Sequence, residues 1–176
     1  MSTNSLFDAL ASRPDDAVVL RGATSVWTVK AVRDEVERLA VRLAGARVVA
    51  VLADNSPEWA LTDLAALHAG VVLLPLPGFF TPAQLRHALD QSSADLVITD
   101  QPERIEALGI TFSMAGTEGG LYWLQRAVSP VELPPGTAKI SYTSGSTGTP
   151  KGVCLTADGL VDTARAVKTR LADLKI

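Results

Sequence analysis

Between residues 47 and 113, short unbroken apolar runs alternate with proline-started helical segments, an order that few folds accept. "VVAVLA", "VVLLP" and "ADLVIT" are the runs, each too short for a buried helix and without a polar face. That is the pattern of strands covered on both sides. Between them lies "NSPEWALTDLAALHAG", with Ser56 placed as N-cap, Pro57 at the first helical position and Gly70 just past the end. "TPAQLRHALDQS" repeats the scheme with Thr81 and Pro82, and a short helix after Pro102 precedes "GITFS". The alternation predicts parallel strands near 47–52, 71–75 and 94–99, joined by helical crossovers into a layered α/β fold with a βαβ core over 47–113.

The flanks read less regularly. Residues 1–46 form a lead-in: a helix from Ser5 to Ala11 capped by Asn4, a small hairpin of "AVVLR" and "SVWT" about Gly22 and Ala23, then a helix capped by Thr28. Trp27 and Val32 stand in the two positions of a hydrophobic staple around that cap. Val29, Val32, Val36, Leu39 and Leu43 give the helix one apolar face, and Gly45 marks its end. After Phe112, "MAGTEGG" reads as a loop, "LYWLQRAV" as a short helix and "SPVELPPG" as a stiff extended connection. Over 138–156, "AKISYTS" and "GVCLT" read as strands flanking a loop. Residues 157–176 end in a helix capped by Thr156 or Asp158, whose stripe of Leu160, Ala164, Val167, Leu171 and Leu174 reads as core.

Composition narrows the classes of partner. The net charge is −3 with both signs interspersed, which points away from nucleic acid and charged membrane surfaces. A single cysteine, Cys154, permits no internal disulfide. The N-terminus lacks a basic stretch followed by an apolar one, so no signal peptide is expected, and no apolar run approaches the roughly 20 residues that span a bilayer. A cytoplasmic chain is the expectation. Two histidines and one cysteine make no metal-ligand cluster, and oligomeric state is not legible.

The stretch "YTSGSTGTPKG", residues 142–152, carries the chemistry. Glycines 145, 148 and 152 allow successive amides to turn into one concavity, and such a nest of N–H groups binds anionic oxygens. Hydroxyls of Thr143, Ser144, Ser146, Thr147 and Thr149 add donors. Pro150 sets the exit direction, and Lys151 supplies the one full positive charge. A polyphosphate is the guest this set suits. The order Pro-Lys-Gly is not the Gly-Lys-Ser/Thr of a Walker loop, the dinucleotide fingerprint is absent, and a β-branched run follows where both would need a helix. A flexible Ser/Thr/Gly connector is the bland reading, and the fixed exit argues against it.

"KISYTSGSTGTPKGVCLT" resembles the signature loop of the adenylate-forming enzymes: acyl- and aryl-CoA synthetases, firefly-type luciferases and the adenylation domains of nonribosomal peptide synthetases. The segment from "NSPEWALTDL" to "ADLVIT" is also similar to that family's N-terminal region. The resemblance implies that residues 1–176 are the N-terminal portion of an AMP-binding domain, with strand–phosphate loop–strand over 138–156. It implies ATP and a small carboxylic acid as substrates, an acyl-adenylate and pyrophosphate as products, and CoA as possible acceptor. Thr143, Ser144, Gly145, Ser146, Thr147, Gly148, Thr149 and Lys151 would then hold the phosphates, with Lys151 stabilising the leaving group. Mg²⁺ is implied too, its protein ligand lying outside this chain.

The chain departs from that pattern in several places. The family's later elements (an aromatic-Gly/Thr-Glu motif, a ribose-binding aspartate and a mobile C-terminal domain with a catalytic lysine) have no counterpart, and Lys168 and Lys175 on the terminal helix are not substitutes. Ala157 stands where many relatives have histidine. A free-standing nucleotide- or pyrophosphate-binding module without catalysis is the rival reading, and a P-loop NTPase a third. Elsewhere, His68 reads as packed on an apolar helix face, His87 as solvated and Cys154 as packed in a strand. "PLPGFF" fits either an acyl pocket or a fold-back on the sheet edge.

Overall fold

The computed structural model describes residues 4–143 and 150–173. Helix α1 (Asn4–Ala11) leads into a two-stranded antiparallel hairpin of β1 (Val18–Arg21) and β2 (Val26–Thr28). Helix α2 (Val29–Leu43) starts at Thr28, whose hydroxyl accepts from the Ala31 amide at 3.3 Å. It ends with Ala44 as cap, one residue before the expected glycine. The core alternation follows as β3 (Val48–Leu52), α3 (Pro57–Ala69), β4 (Val72–Pro75), α4 (Pro82–Ser92), β5 (Leu96–Thr99) and α5 (Pro102–Glu106). Then come β6 (Ser113–Glu118), β7 (Leu121–Gln125), β8 (Thr137–Thr143), β9 (Lys151–Thr156) and α6 (Ala157–Asp173).

The caps expected for α3 and α4 form, whereas Asn4, expected to cap α1, is its first residue. Ser56 accepts from the Trp59 amide at 3.1 Å, and Gly70 closes α3 in the left-handed region at φ 68°. Thr81 and Gln84 make a reciprocal capping box on α4. The Ser56 and Thr81 caps satisfy amides that the first helical turn leaves unpaired, and the Gly70 N–H donates to the last-turn carbonyls of Ala66 and Leu67.

Among the described residues the main sheet has seven strands in the order β6-β7-β5-β3-β4-β8-β9. β3 pairs in parallel with both β4 and β5, so the chain runs outward one way, then crosses β3 to the other side. Right-handed crossovers in opposite directions place the helices on opposite faces. The core records this residue by residue. Val49 and Val51 of β3 join Val36, Leu39, Leu43 and Leu61 on the α2/α3 face. Val48, Ala50 and Leu52 join Leu85, Leu89 and Ile105 on the α4/α5 face. A strand sandwiched in this way has no polar face, hence its unbroken apolar run. Each fully buried Leu or Ile here stabilises the fold by about 1.5–3 kcal/mol.

Three sequence expectations are corrected. "MAGTEGG" is not a loop: it forms most of strand β6. "LYWLQRAV" is not a helix: Leu121–Gln125 is strand β7, antiparallel to β6 and β5. Gly119 and Gly120, at φ 56° and 80°, make the two-residue turn between them. Positive φ at both central positions matches the twist of a hairpin, and a Gly-Gly pair is the signal that identifies it. A short run such as "LYWL" cannot be told from a buried helical turn by periodicity alone. The α6 stripe is the third. Val161 is buried and Leu160 half-buried, but Val167 and Leu171 are 53% and 44% exposed. Leu160 and Val161 sit near Leu6 and Leu64, and farther along the helix Lys168 shares a cavity lining with Leu6 and Leu10 of α1.

Candidate functional site

β8 lies parallel to β4, with Leu73 opposite Lys139, so its last residue, Thr143, sits at the carboxyl edge of the parallel strands. β9 returns antiparallel, and the register sets Thr143 opposite Lys151 and Tyr142 opposite Gly152. The stem of the hydroxyl-rich loop is therefore a strand pair. Lys151 opens a strand and no helix, which excludes the Walker-type arrangement. Ser144, Gly145, Ser146, Thr147, Gly148 and Thr149 lie outside the described residues. Thr143 and Lys151 flank them, both exposed, with the Thr143 hydroxyl 3.5 Å from the Lys151 carbonyl. Pro150 is buried and anchors the exit. Lys151 makes no ion pair among the described residues, so its charge stays available to an anion.

Gly152 has a steric reason. A Cβ there would stand 3.2 Å from both the Tyr142 ring and Ile140, tighter than most packed contacts, so those side chains would have to shift by a few tenths of an ångström. The space is taken by Tyr142, whose ring also meets Phe80 and His87 edge-on at 6.4 and 6.5 Å. Its hydroxyl reaches the Ala88 carbonyl at 3.4 Å. Burial, and secondarily the Cys154 thiol, pushes the Tyr142 phenol above its ordinary range. Tyr142 thus wedges the loop stem against α4.

Beside this stem opens a cavity of about 330 Å³ at the carboxyl ends of β3, β4 and β5. Asp54, Asn55 and Trp59 form one wall, Leu76, Pro77 and Gly78 another, and Gln101 and Tyr142 close it. In open α/β sheets this edge is where ligands bind, because loops leaving neighbouring strands in opposite directions open a crevice. Two bridges hold the rim. The Asp54 amide donates to the Asp100 carboxylate at 3.2 Å, tying the β3 and β5 loops together. Arg104 donates to the carbonyls of Gly78 and Phe80, each at 2.9 Å, and to the Gln101 side chain at 3.0 Å. Of these rim residues the sequence points only to "PLPGFF", as either an acyl pocket or a fold-back, and Leu76, Pro77 and Gly78 of it line the cavity. Sequence reading misses "ADNS" and "DQP", although each directly follows an apolar run. Their clustering depends on strand order.

The remaining candidates fall outside the cavity. His68 is exposed, with its ring 4.9 Å from Phe7, so the apolar-face packing expected for it is only this edge contact. His87, expected to be solvated, is half-buried, with its ring edge-on to Tyr142. Cys154 packs, half-buried, on the α4/α5 core. Of "PLPGFF", the two aromatics do not line the cavity that Leu76, Pro77 and Gly78 help to form: Phe80 is core and Phe79 is 80% exposed. Among the described residues, no helix is long and apolar enough to cross a membrane.

Known proteins match this chain along nearly its whole length. The family model described as "AMP-binding enzyme" matches residues 6–175. FR901469 synthetase from Dothideomycetidae sp. is 33% identical over 171 residues, covering 90% of this chain and 1% of that protein. Tyrocidine synthase 2 from Brevibacillus parabrevis is 29% identical over 163 residues, covering 89% and 4%. This chain thus spans only a few per cent of the multidomain relatives it matches. The crystal structure of VinN superposes with a TM-score of 0.74 at 21% identity, covering 98% of this chain and 50% of that one. ATP-bound MatB from Rhodopseudomonas palustris gives 0.68 at 23%, covering 98% and 38%. These structures share the fold: a mostly parallel central sheet flanked by helices, as in the N-terminal subdomain of adenylate-forming enzymes. With a family model spanning almost every residue and the strand–loop–strand element standing at the carboxyl edge of that sheet, the chain belongs to the AMP-binding enzyme family.

Proposed function

We propose that this chain is the N-terminal portion of an AMP-forming acid ligase and supplies its ATP phosphate-binding loop. The observation that carries the reading is the β8–β9 register, which sets Thr143 opposite Lys151, a side chain with no ion pair among the described residues, at the carboxyl edge beside the cavity. In the proposed reaction a carboxylate oxygen bonds to the α-phosphorus of ATP. The bond from that phosphorus to the bridging oxygen breaks, and pyrophosphate departs with the electron pair. Thr143, Lys151 and the loop residues 144–149 would hold the β- and γ-phosphates, where charge grows as the bond breaks. Donors fixed in advance at that position stabilise the transition state more than the ground state.

Among the described residues, no group of three His, Cys, Asp or Glu side chains could hold a metal ion. The adenylate would pass to a thiol, CoA being the first reading. The similarity to peptide synthetases favours a second, the thiol of a carrier protein. Thioester formation assayed with each acceptor in turn separates the two.

The central test is carboxylate-dependent ATP–pyrophosphate exchange by the full-length protein. Loss of one charged contact to the leaving group predicts a roughly ten- to hundredfold fall for Lys151→Ala. Lys151 is exposed, so stability should change by no more than about 0.5 kcal/mol. Unchanged exchange with an unchanged melt would remove Lys151 from the phosphate grip.

A further inference from the structure

A second cavity, of about 250 Å³, lies between α2, α3 and the β6–β7 hairpin, away from the loop stem. Several times the roughly 30 Å³ share of one water molecule, it can accept a small organic ligand. Its walls include Leu39, Leu61 and Leu121, with Trp27 and Trp123 beside them. Among the described residues, two buried side-chain polar atoms lack any hydrogen-bond partner, and they are the indole N–H groups of these same two tryptophans. Buried indoles normally donate to something. That both exceptions fall on one cavity is the observation to explain.

The charges around the rim say what kind of molecule fits. Arg38 occupies two of the three carboxylates: it donates to Glu35 at 2.7 and 2.9 Å and, together with Arg42, pairs with Glu118. Arg42 also lies 3.8 Å over the Trp123 ring. Glu58, half-buried on the first turn of α3, has no ion pair among the described residues. The lining therefore carries one negative charge without an ion pair among the described residues, and apolar walls, with two idle indole donors buried behind them. An anion would meet repulsion there; a cation with an acceptor at its far end would satisfy every group left over.

We propose that this cavity binds a small, largely apolar primary amine that also carries a carbonyl oxygen. The ammonium pairs with Glu58 and the carbonyl accepts from the indoles of Trp27 and Trp123. Both indole nitrogens are shut off from solvent, so binding turns the ring edges towards the cavity, and that movement can be read directly. The site is independent of the phosphate loop and of the reaction proposed for it.

The test uses the ¹⁵N-labelled chain, whose three tryptophans each give one indole N–H resonance. Trp59→Phe identifies the resonance of Trp59, which lies on the other cavity. The probe is 4-(aminomethyl)benzamide; 4-carbamoylbenzoate keeps the ring and the amide but reverses the charge. Saturable shifts of the Trp27 and Trp123 resonances with the amine, little movement of Trp59 and no response to the anion are the expected result. Glu58→Gln should weaken binding about tenfold, the loss expected of one charge-assisted hydrogen bond. No shift at millimolar amine, or equal non-saturating movement of all three indoles, overturns the proposal. So does equal binding of the anion, or a Glu58→Gln chain that binds as tightly as the parent. Should Glu58→Gln fail to fold, the comparison of amine with anion on the parent chain still decides.

Discussion

At the scale of single residues, Tyr142 shows how a side chain beside a candidate site can serve the fold and remain testable. Its ring fills the space that Gly152 leaves open, and burial holds the phenol in its neutral form. The sign follows directly. With the folded-state pKa raised, the unfolded chain loses the proton first, so this contribution is complete below the ordinary tyrosine value and declines as pH climbs past it. The melting temperature should fall between about pH 9 and pH 11, and part of that fall should vanish in Tyr142→Phe. Identical pH profiles for the two proteins would show that the phenol is not the group responsible. The Tyr142–Gly152 pairing was not legible beforehand. "YTSGSTGTPKG" reveals glycine and hydroxyl chemistry, but which glycine makes room for which ring depends on a cross-strand register.

Among the elements, α4 is held at both ends by different means. Thr81 and Gln84 close its start with contacts local in sequence, which is why the start could be read from "TPAQ" alone. Its end is held by Arg126, more than thirty residues away in sequence. The guanidinium donates to the carbonyls of Leu89 and Ala94, each at 2.7 Å, and to the Asp90 carboxylate at 2.9 Å. The Arg126 side chain is only 6% exposed, so truncation would leave those carbonyls facing a space that water fills poorly. Arg126→Ala should cost about 1–3 kcal/mol, measured as a lower urea midpoint with an unchanged slope. A cost near zero would mean that solvent replaces the guanidinium freely. β6 and β7 fail as sequence readings for a related reason. Leu121 and Trp123 are buried under α2 and α3, and only that long-range cover makes "LYWL" a strand.

At the scale of the whole molecule, the cavity at the carboxyl edge and the loop stem share one side of the sheet, and the chain spans about half of VinN. Adenylation needs the carboxylate held in line with the α-phosphorus, and such positioning can supply roughly 7–11 kcal/mol of the barrier reduction. We expect the 176 residues to fold, to bind ATP or pyrophosphate weakly by isothermal titration, and to release no pyrophosphate with a panel of fatty and aryl acids. Carboxylate-dependent turnover abolished by Lys151→Ala would show instead that the chain holds a complete active site. What the sequence by itself determined is whatever rests on neighbours along the chain. The caps at Thr28, Ser56 and Thr81, the turn chemistry around Gly70, the apolar runs of the three central strands and the donor-rich loop all belong there. Tertiary structure decided what depends on elements meeting. Strand order gathers Asp54, Gly78, Gln101 and Tyr142 around one opening, helix packing brings Trp27 and Trp123 to another, and the placement of α6 leaves Val167 and Leu171 exposed. Local signals act over a few bonds, where backbone geometry dictates who can touch; cavities arise between segments whose approach no local pattern encodes.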